Sequence, residues 1–319
     1  MADWVLEETA VVDVLEADRP HRTGAYVILD DGVTVVDPGA ARGIPRLVEG
    51  IRALGADPGD IRRVVVTHVH LDHAGGVGTL VRDLPRATVF CHPRAAAHLA
   101  DPGRLLEGAR AVYGERLERL FGAVLPVPAW QIRAVEDLGR VAAGRHALRL
   151  FDSPGHARHH ATVLDERTGG LFTGDAVGIR YDPGFTGWPK AYGLPTTSPS
   201  AFDPPAMLAT LDRLERLGAV AVLHTHFGAS PPAEAFAFTR RGVEAMLRLL
   251  DRFGDRALTE RDVRRAWEDW VREDLEAQGL GDVDLDPLGE DLRLDALGLY
   301  GYWRRRREAA GSPAAGPGS

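Results

Sequence analysis

Cysteine is almost absent: Cys91 is the only one in 319 residues. An intramolecular disulfide is therefore excluded, and so is a closed structural zinc site, which is built on thiolates. Lysine is equally scarce, Lys190 being the single example, so the remaining basic side chains are arginine. The net charge of −8 and isoelectric point near 5.8 leave no basic surplus for nucleic acid. No apolar run approaches the roughly 20 residues that span a bilayer. The first residues, Met1–Glu8, lack the basic and apolar segments of a secretory leader. These absences point to a cytoplasmic protein with no membrane or nucleic-acid partner. A homodimer is the default assembly. Apolar residues make up 45% of the chain, ample for a buried core in one large domain or two.

Metal-competent side chains are present in a telling order. Thr67-His68-Val69-His70-Leu71-Asp72-His73-Ala74-Gly75-Gly76 follows the apolar run Ile61–Val66. A strand end holds side chains still, and a tight polar turn can aim several at one spot. Imidazole and carboxylate together suit zinc, iron or manganese better than calcium or magnesium. Three more strand-to-loop junctions supply partners. His156 lies in Asp152-Ser153-Pro154-Gly155-His156, and Asp175 in Thr173-Gly174-Asp175. His224 and His226 lie in Leu223-His224-Thr225-His226-Phe227-Gly228. One histidine after a strand is usually only a polar strand end; four such junctions in one chain are a pattern.

This order resembles the metallo-β-lactamase fold superfamily. That family carries His-x-His-x-Asp-His, then a distant histidine in a Pro-Gly-His turn, an aspartate in Thr-Gly-Asp, and a last histidine. Gly24–Leu29 and Val33–Val36, ending in Val36-Asp37-Pro38-Gly39, match an upstream family feature. The resemblance covers roughly residues 10 to 230. It implies a four-layer αββα sandwich and a dinuclear, glyoxalase II-like site, with two zinc ions and iron or manganese as alternatives. Carried over residue by residue, His68, His70 and His156 hold one metal, Asp72, His73 and His226 the other, and Asp175 bridges them. The family's last ligand is a histidine followed at once by Gly or by Phe-Gly, the setting of His226; His224, two residues earlier, is the weaker candidate for that ligand and is otherwise expected to back it up. Asp37 is expected to accept the far N–H of a ligating histidine, as metal-bound histidines usually require, or else simply to form the turn before Pro38. The implied reaction is hydrolysis of a small ester, thioester or lactone by a metal-bridging hydroxide, with Asp72 orienting it and passing a proton to the leaving group. The alternatives within the fold are a phosphodiesterase and a mononuclear-iron sulfur dioxygenase. Outside enzymology, the alternative is a binding protein on a decayed site.

Periodicity organises the rest. Ile44–Leu54 and Gly75–Leu84 read as helices, Thr88–Cys91 as a strand and Pro93–Leu99 as a short helix. The αββα domain is expected over 1–255, with an insertion at 101–128 in which Leu105–Phe121 is helical. That insertion reads either as a lid or dimer contact over the site, or as a plain surface helix. The Pro- and Gly-rich loop 178–205 carries Tyr181, Phe185, Trp188 and Tyr192. Long irregular loops are uncommon unless functional, so these aromatics either wall a substrate pocket or pack the loop onto the core. Arg158 and Arg180 are the nearest handles for a charged substrate, or else plain surface residues. A helix is expected over Phe202–Leu217, capped by Asp203, and another over Ala233–Phe253. A helical extension is expected over 256–308, opened by a Thr259/Asp262 capping box, with Trp267 and Trp270 in its core. A Gly/Pro/Ala tail expected to be disordered spans 309–319.

Overall fold

The computed structural model describes residues 2–254, 256–309 and 311. The chain opens with strands β1 (Ala2–Leu6), β2 (Thr9–Asp13), β3 (Gly24–Leu29) and β4 (Val33–Val36). Helix α1 (Ile44–Ala53) leads to β5 (Ile61–Val66), α2 (Leu71–Ala74) and α3 (Val77–Val81). Then come β6 (Thr88–Cys91), α4 (Pro93–Ala100), α5 (Gly103–Tyr113), α6 (Arg116–Phe121) and β7 (Ile132–Ala134). The second half contributes β8 (Arg140–Ala143), β9 (His146–Asp152), β10 (Ala161–Asp165) and β11 (Gly170–Gly174). It continues with β12 (Ile179–Tyr181), α7 (Pro183–Thr186), β13 (Tyr192–Leu194), α8 (Pro204–Glu215), β14 (Ala221–His224) and β15 (Gly228–Ser230). Three long helices close it: α9 (Pro232–Phe253), α10 (Glu260–Ala277) and α11 (Gly289–Ala309).

The first sheet holds β1 to β7 in chain order, antiparallel up to β4 and parallel beyond. The second runs β15-β14-β11-β10-β9-β8. Because successive strand residues point to opposite faces, each strand feeds two apolar layers. Val11, Ile28, Val36 and Val65 of the first sheet meet Leu148, Val163, Phe172 and Leu223 of the second. Their alternates Val12, Val27, Val35 and Val64 pack outward on Leu47, Ile51 and Val77. On the other side Leu171 and Val222 pack on Leu211, Leu214 and Phe236 of α8 and α9. The result is the four-layer αββα sandwich. Burial on both faces explains why these strands read as unbroken apolar runs.

Local chemistry sets several boundaries. Asp203 caps α8 by accepting from the Ala206 amide, with Pro204 in the first turn. Thr259 and Asp262 form the reciprocal capping box of α10. Two expected helices differ. The helix expected over 75–84 begins earlier, at Leu71, and is interrupted at Gly76, whose amide turns away to bond the Gly39 carbonyl at 2.8 Å. Asp72 and His73 therefore stand on a helical turn. The helix expected over 105–121 is split at Gly114, which takes φ +57°.

The insertion's α5 and α6 lie over Leu71, between His70 and Asp72, in a small cluster with Ala40, Leu117 and Phe121. α11 pins them from outside: Arg116 pairs with Glu290 at 3.1 Å, and Arg293 donates to the Val112 carbonyl. The helical extension shares one core with loop 178–205 and α9, a cluster running from Ile179 to Trp303. Trp267 is fully buried there, stacked on Trp270. The tail expected from 309 onward lies outside the described residues except Ala309 and Gly311. No helix among the described residues is long and apolar enough to cross a membrane.

Candidate metal centre

Every candidate ligand sits just past the carboxyl end of a strand: His68, His70, Asp72 and His73 after β5, His156 after β9, Asp175 after β11 and His226 after β14. They converge as two adjoining groups, His68–His70–His156–Asp175 and Asp72–His73–His226. In the first, His68 Nε2 and His156 Nε2 lie 3.0 and 2.9 Å from His70 Nδ1. Asp175 Oδ2 faces His68 Nε2 at 3.8 Å and His156 Nε2 at 3.3 Å. Its other oxygen, Oδ1, faces His73 Nε2 at 3.1 Å and His226 Nε2 at 3.6 Å. Asp72 Oδ2 completes the second group at 3.3 Å from His226 Nε2 and 3.7 Å from His73 Nε2.

These residues fit metal ions. A tetrahedral zinc with donors about 2.0–2.2 Å away sets donor–donor edges of about 3.3–3.6 Å, within the range seen here. His73 Nε2 and Asp175 Oδ1 are buried and close, yet neither is aligned for a hydrogen bond. Buried polar atoms rarely go unpartnered, so both suit donation to a cation.

The far ring nitrogens of His73, His156 and His226 are tied down, as those of ligating histidines usually are. His73 Nδ1 donates to Asp37 Oδ2 at 2.9 Å. His156 Nδ1 donates to the Thr196 carbonyl at 3.2 Å, and His226 Nδ1 to the Arg22 carbonyl at 3.0 Å. Asp37 occupies the left-handed region, φ +47°, which aspartate tolerates better than most residues. Its carboxylate also accepts from the Thr67 amide and from the Thr67 and Thr225 hydroxyls. Gly174, at φ +47°, brings the chain so close that a methyl there would overlap Thr67 and His160.

The two groups differ in charge. Desolvation, reinforced by neighbouring imidazoles, holds His68 and His70 well below the usual histidine range, so they present neutral lone pairs. Burial opposes charge on His73 too, but Asp175 and Asp72 outweigh it and push that pKa well up. Burial likewise disfavours the Asp72 and Asp175 carboxylates, yet His73 and its neighbours hold both low. Asp72 and His70 are partly exposed and mark the open side; the other five are buried.

Other expectations need correction. His224 does not back up His226. The strand ends at His224 and the chain turns at 225–227, so the two rings part. His224 Nε2 meets Ser230 Oγ at 2.8 Å, and its ring stacks on Phe238. Of the two readings of Tyr181, Phe185, Trp188 and Tyr192, a pocket wall or packing onto the core, the structure shows the packing. They are 1–9% exposed and pack among the residues of α9, α10 and α11, and Tyr192 donates to Asp274 at 2.8 Å. Arg180 is consumed by Asp182 and the Phe227 carbonyl, and Arg158 is exposed. His160 also reaches the site: its Nε2 accepts the Asp175 amide at 3.1 Å. A second histidine in the same turn was the available signal. Arg22 and Thr196 act through backbone carbonyls, which no residue type announces.

This fold and this clustering of histidines and aspartates define the class of chain, and comparison with known proteins agrees. The model of the metallo-beta-lactamase superfamily matches residues 19–226, and the chain belongs to that superfamily. A metallo-beta-lactamase fold-containing protein of Sulfurisphaera tokodaii is 30% identical over 139 residues, 43% of this chain and 49% of that one. A hydroxyacylglutathione hydrolase of Cupriavidus taiwanensis is 35% identical over 147 residues, 45% of this chain and 44% of that one. An N-acyl homoserine lactonase of Rhizobium johnstonii is 30% identical over 118 residues, 37% and 40% respectively. The matches thus span about half the length of these relatives, or less. A metallo-beta-lactamase family protein of Thermus thermophilus superposes with TM-score 0.66 at 22% identity, over 94% of each chain. A likeness at that identity establishes the fold.

Proposed function

We propose that this chain is a dinuclear metal-dependent hydrolase of small esters, thioesters or lactones, with zinc in both positions. The observation that carries the reading is Asp175 facing both groups, one oxygen to each, with Asp72 at the open edge. Two divalent cations held there would lower the pKa of a bound water towards neutrality and polarise the substrate carbonyl. His68, His70 and His156 would hold one cation and Asp72, His73 and His226 the other, with Asp175 between them. Asp72, at 23% side-chain exposure the most open of the ligand carboxylates, is placed to orient the nucleophile and carry a proton to the departing group. The matched hydroxyacylglutathione hydrolase and homoserine lactonase support hydrolysis of this type.

The first test is metal content by elemental analysis of protein purified without chelator, followed by an ester, thioester and lactone panel. We expect about two zinc ions per chain and turnover of at least one panel class. One iron per chain, or no turnover by the metal-replete protein, would overturn the reading.

A further inference from the structure

Helix α11 lies outside the segment that carries the ligands, yet two of its side chains reach back to both halves of the centre. Asp291 and Asp295 are one turn apart on it and 5% and 2% exposed. The Asp295 Oδ1 accepts the Thr197 amide at 3.1 Å. The carbonyl of that same peptide unit, on Thr196, accepts His156 Nδ1. One peptide plane is therefore held between a ligand histidine and Asp295. Thr197 Oγ1 adds a bond to the Leu294 carbonyl at 3.0 Å, and Ser198 Oγ one to the His156 carbonyl at 2.7 Å. Asp291 does the equivalent for the other half. It takes both terminal nitrogens of Arg22 at 2.6 Å each, and the Arg22 carbonyl accepts His226 Nδ1.

We propose that α11 is the positioning element for both metal subsites, Asp295 aligning His156 through the Thr196–Thr197 peptide and Asp291 aligning His226 through Arg22. The inference rests on the dinuclear reading above. Energetics favour it over simple helix docking. A buried ion pair such as Arg22–Asp291 is a poor stabiliser, because desolvation offsets much of its attraction and apolar residues of like volume would serve as well. Its use here is geometric: it fixes where the Arg22 carbonyl points. Asp295 is surrounded by the apolar cluster, and burial together with Asp291 raises its pKa well above the carboxylate range. Its Oδ1 accepts the Thr197 amide, a role that asparagine can imitate and leucine cannot.

The test uses the full chain loaded with cobalt(II), whose visible absorption reports ligand geometry, and follows release to excess EDTA. Wild type should lose its two ions in two phases. In Asp295→Leu, which keeps an apolar volume in an apolar core, one phase should quicken about tenfold, the usual cost of losing a ligand's hydrogen-bonded support. Asp295→Asn should release both ions at the wild-type rate. Asp291→Asn should quicken the other phase by a similar factor. Should that variant not fold, Arg22→Met/Asp291→Leu replaces the ion pair with apolar side chains, and the same phase should quicken. Equal release by Asp295→Leu and Asp295→Asn would overturn the inference alone. So would variants that lower the melting temperature but leave both phases unchanged. A wild-type chain that takes up no pair of ions would overturn the dinuclear reading, and this inference with it.

Discussion

Asp37 shows how much one carboxylate can carry. It accepts from the Thr67 amide and hydroxyl, the Thr225 hydroxyl and His73, and is fully buried. Asp37→Asn keeps its shape but turns one acceptor into a donor facing donors. We expect metal affinity in the Asp72–His73–His226 half to fall by about 10- to 100-fold, read by chelator competition, with a stability loss of about 1–3 kcal/mol in denaturant melts. Cys91 is the opposite case. Buried and apolar in its surroundings, its thiol is pushed up to about 12. It should resist Ellman's reagent in the native protein and react at once in denaturant; a fast native reaction would contradict that burial. At this scale the legible residues were those whose type and strand-end position agree. Asp37 sits directly after β4, so its aim could be inferred. His224 was misread because strand alternation was extended past the strand's end, into a turn where it no longer holds.

Among the elements, α11 is placed by a glycine. A methyl on Gly298 would overlap Thr197 Oγ1 and Cβ. Alanine normally gains about 0.5–1 kcal/mol over glycine inside a helix, but overpacking costs about 1–3 kcal/mol. Gly298→Ala should therefore destabilise the protein, visible as a lower denaturant midpoint at unchanged slope. The capping box of α10 offers a milder control: Thr259→Ala should cost about 1 kcal/mol and leave metal content untouched. Helix starts were legible because caps are local chemistry, as with Asp203 and Thr259. The environment of loop 178–205 was not. Four aromatics in an irregular loop suit a pocket wall and a buried core equally well. Only the docking of α9 to α11, which depends on contacts far apart in sequence, decides between them.

For the whole molecule, the sandwich was legible because each β strand of the core writes its burial on both faces into an apolar run, and the order of motifs named the family. The role of α11 was not, since its reach to the centre passes through backbone carbonyls. The ligands come from both sheets, so the full ligand set exists only in the docked sandwich and not in the unfolded chain. Free metal at a thousandfold above its dissociation constant should stabilise the fold by about 4 kcal/mol. Calorimetry with and without chelator should show the apo protein melting several degrees lower; equal melting temperatures would contradict the shared site.

The order in which the site is assembled has a consequence for the chain during synthesis. The first sheet is complete by Ala134, when His68, His70, Asp72 and His73 exist but His156, Asp175 and His226 do not. A nascent chain at that stage displays an imidazole-rich loop with no partner sheet to dictate geometry. Affinity there follows the inherent order of the divalent ions, in which copper outcompetes zinc. The full set of seven comes only with the second sheet, and Asp291 and Asp295 come last of all. On the proposed reading, a chain cut short before residue 226 should therefore take metal by the inherent order of the ions alone and prefer copper to zinc.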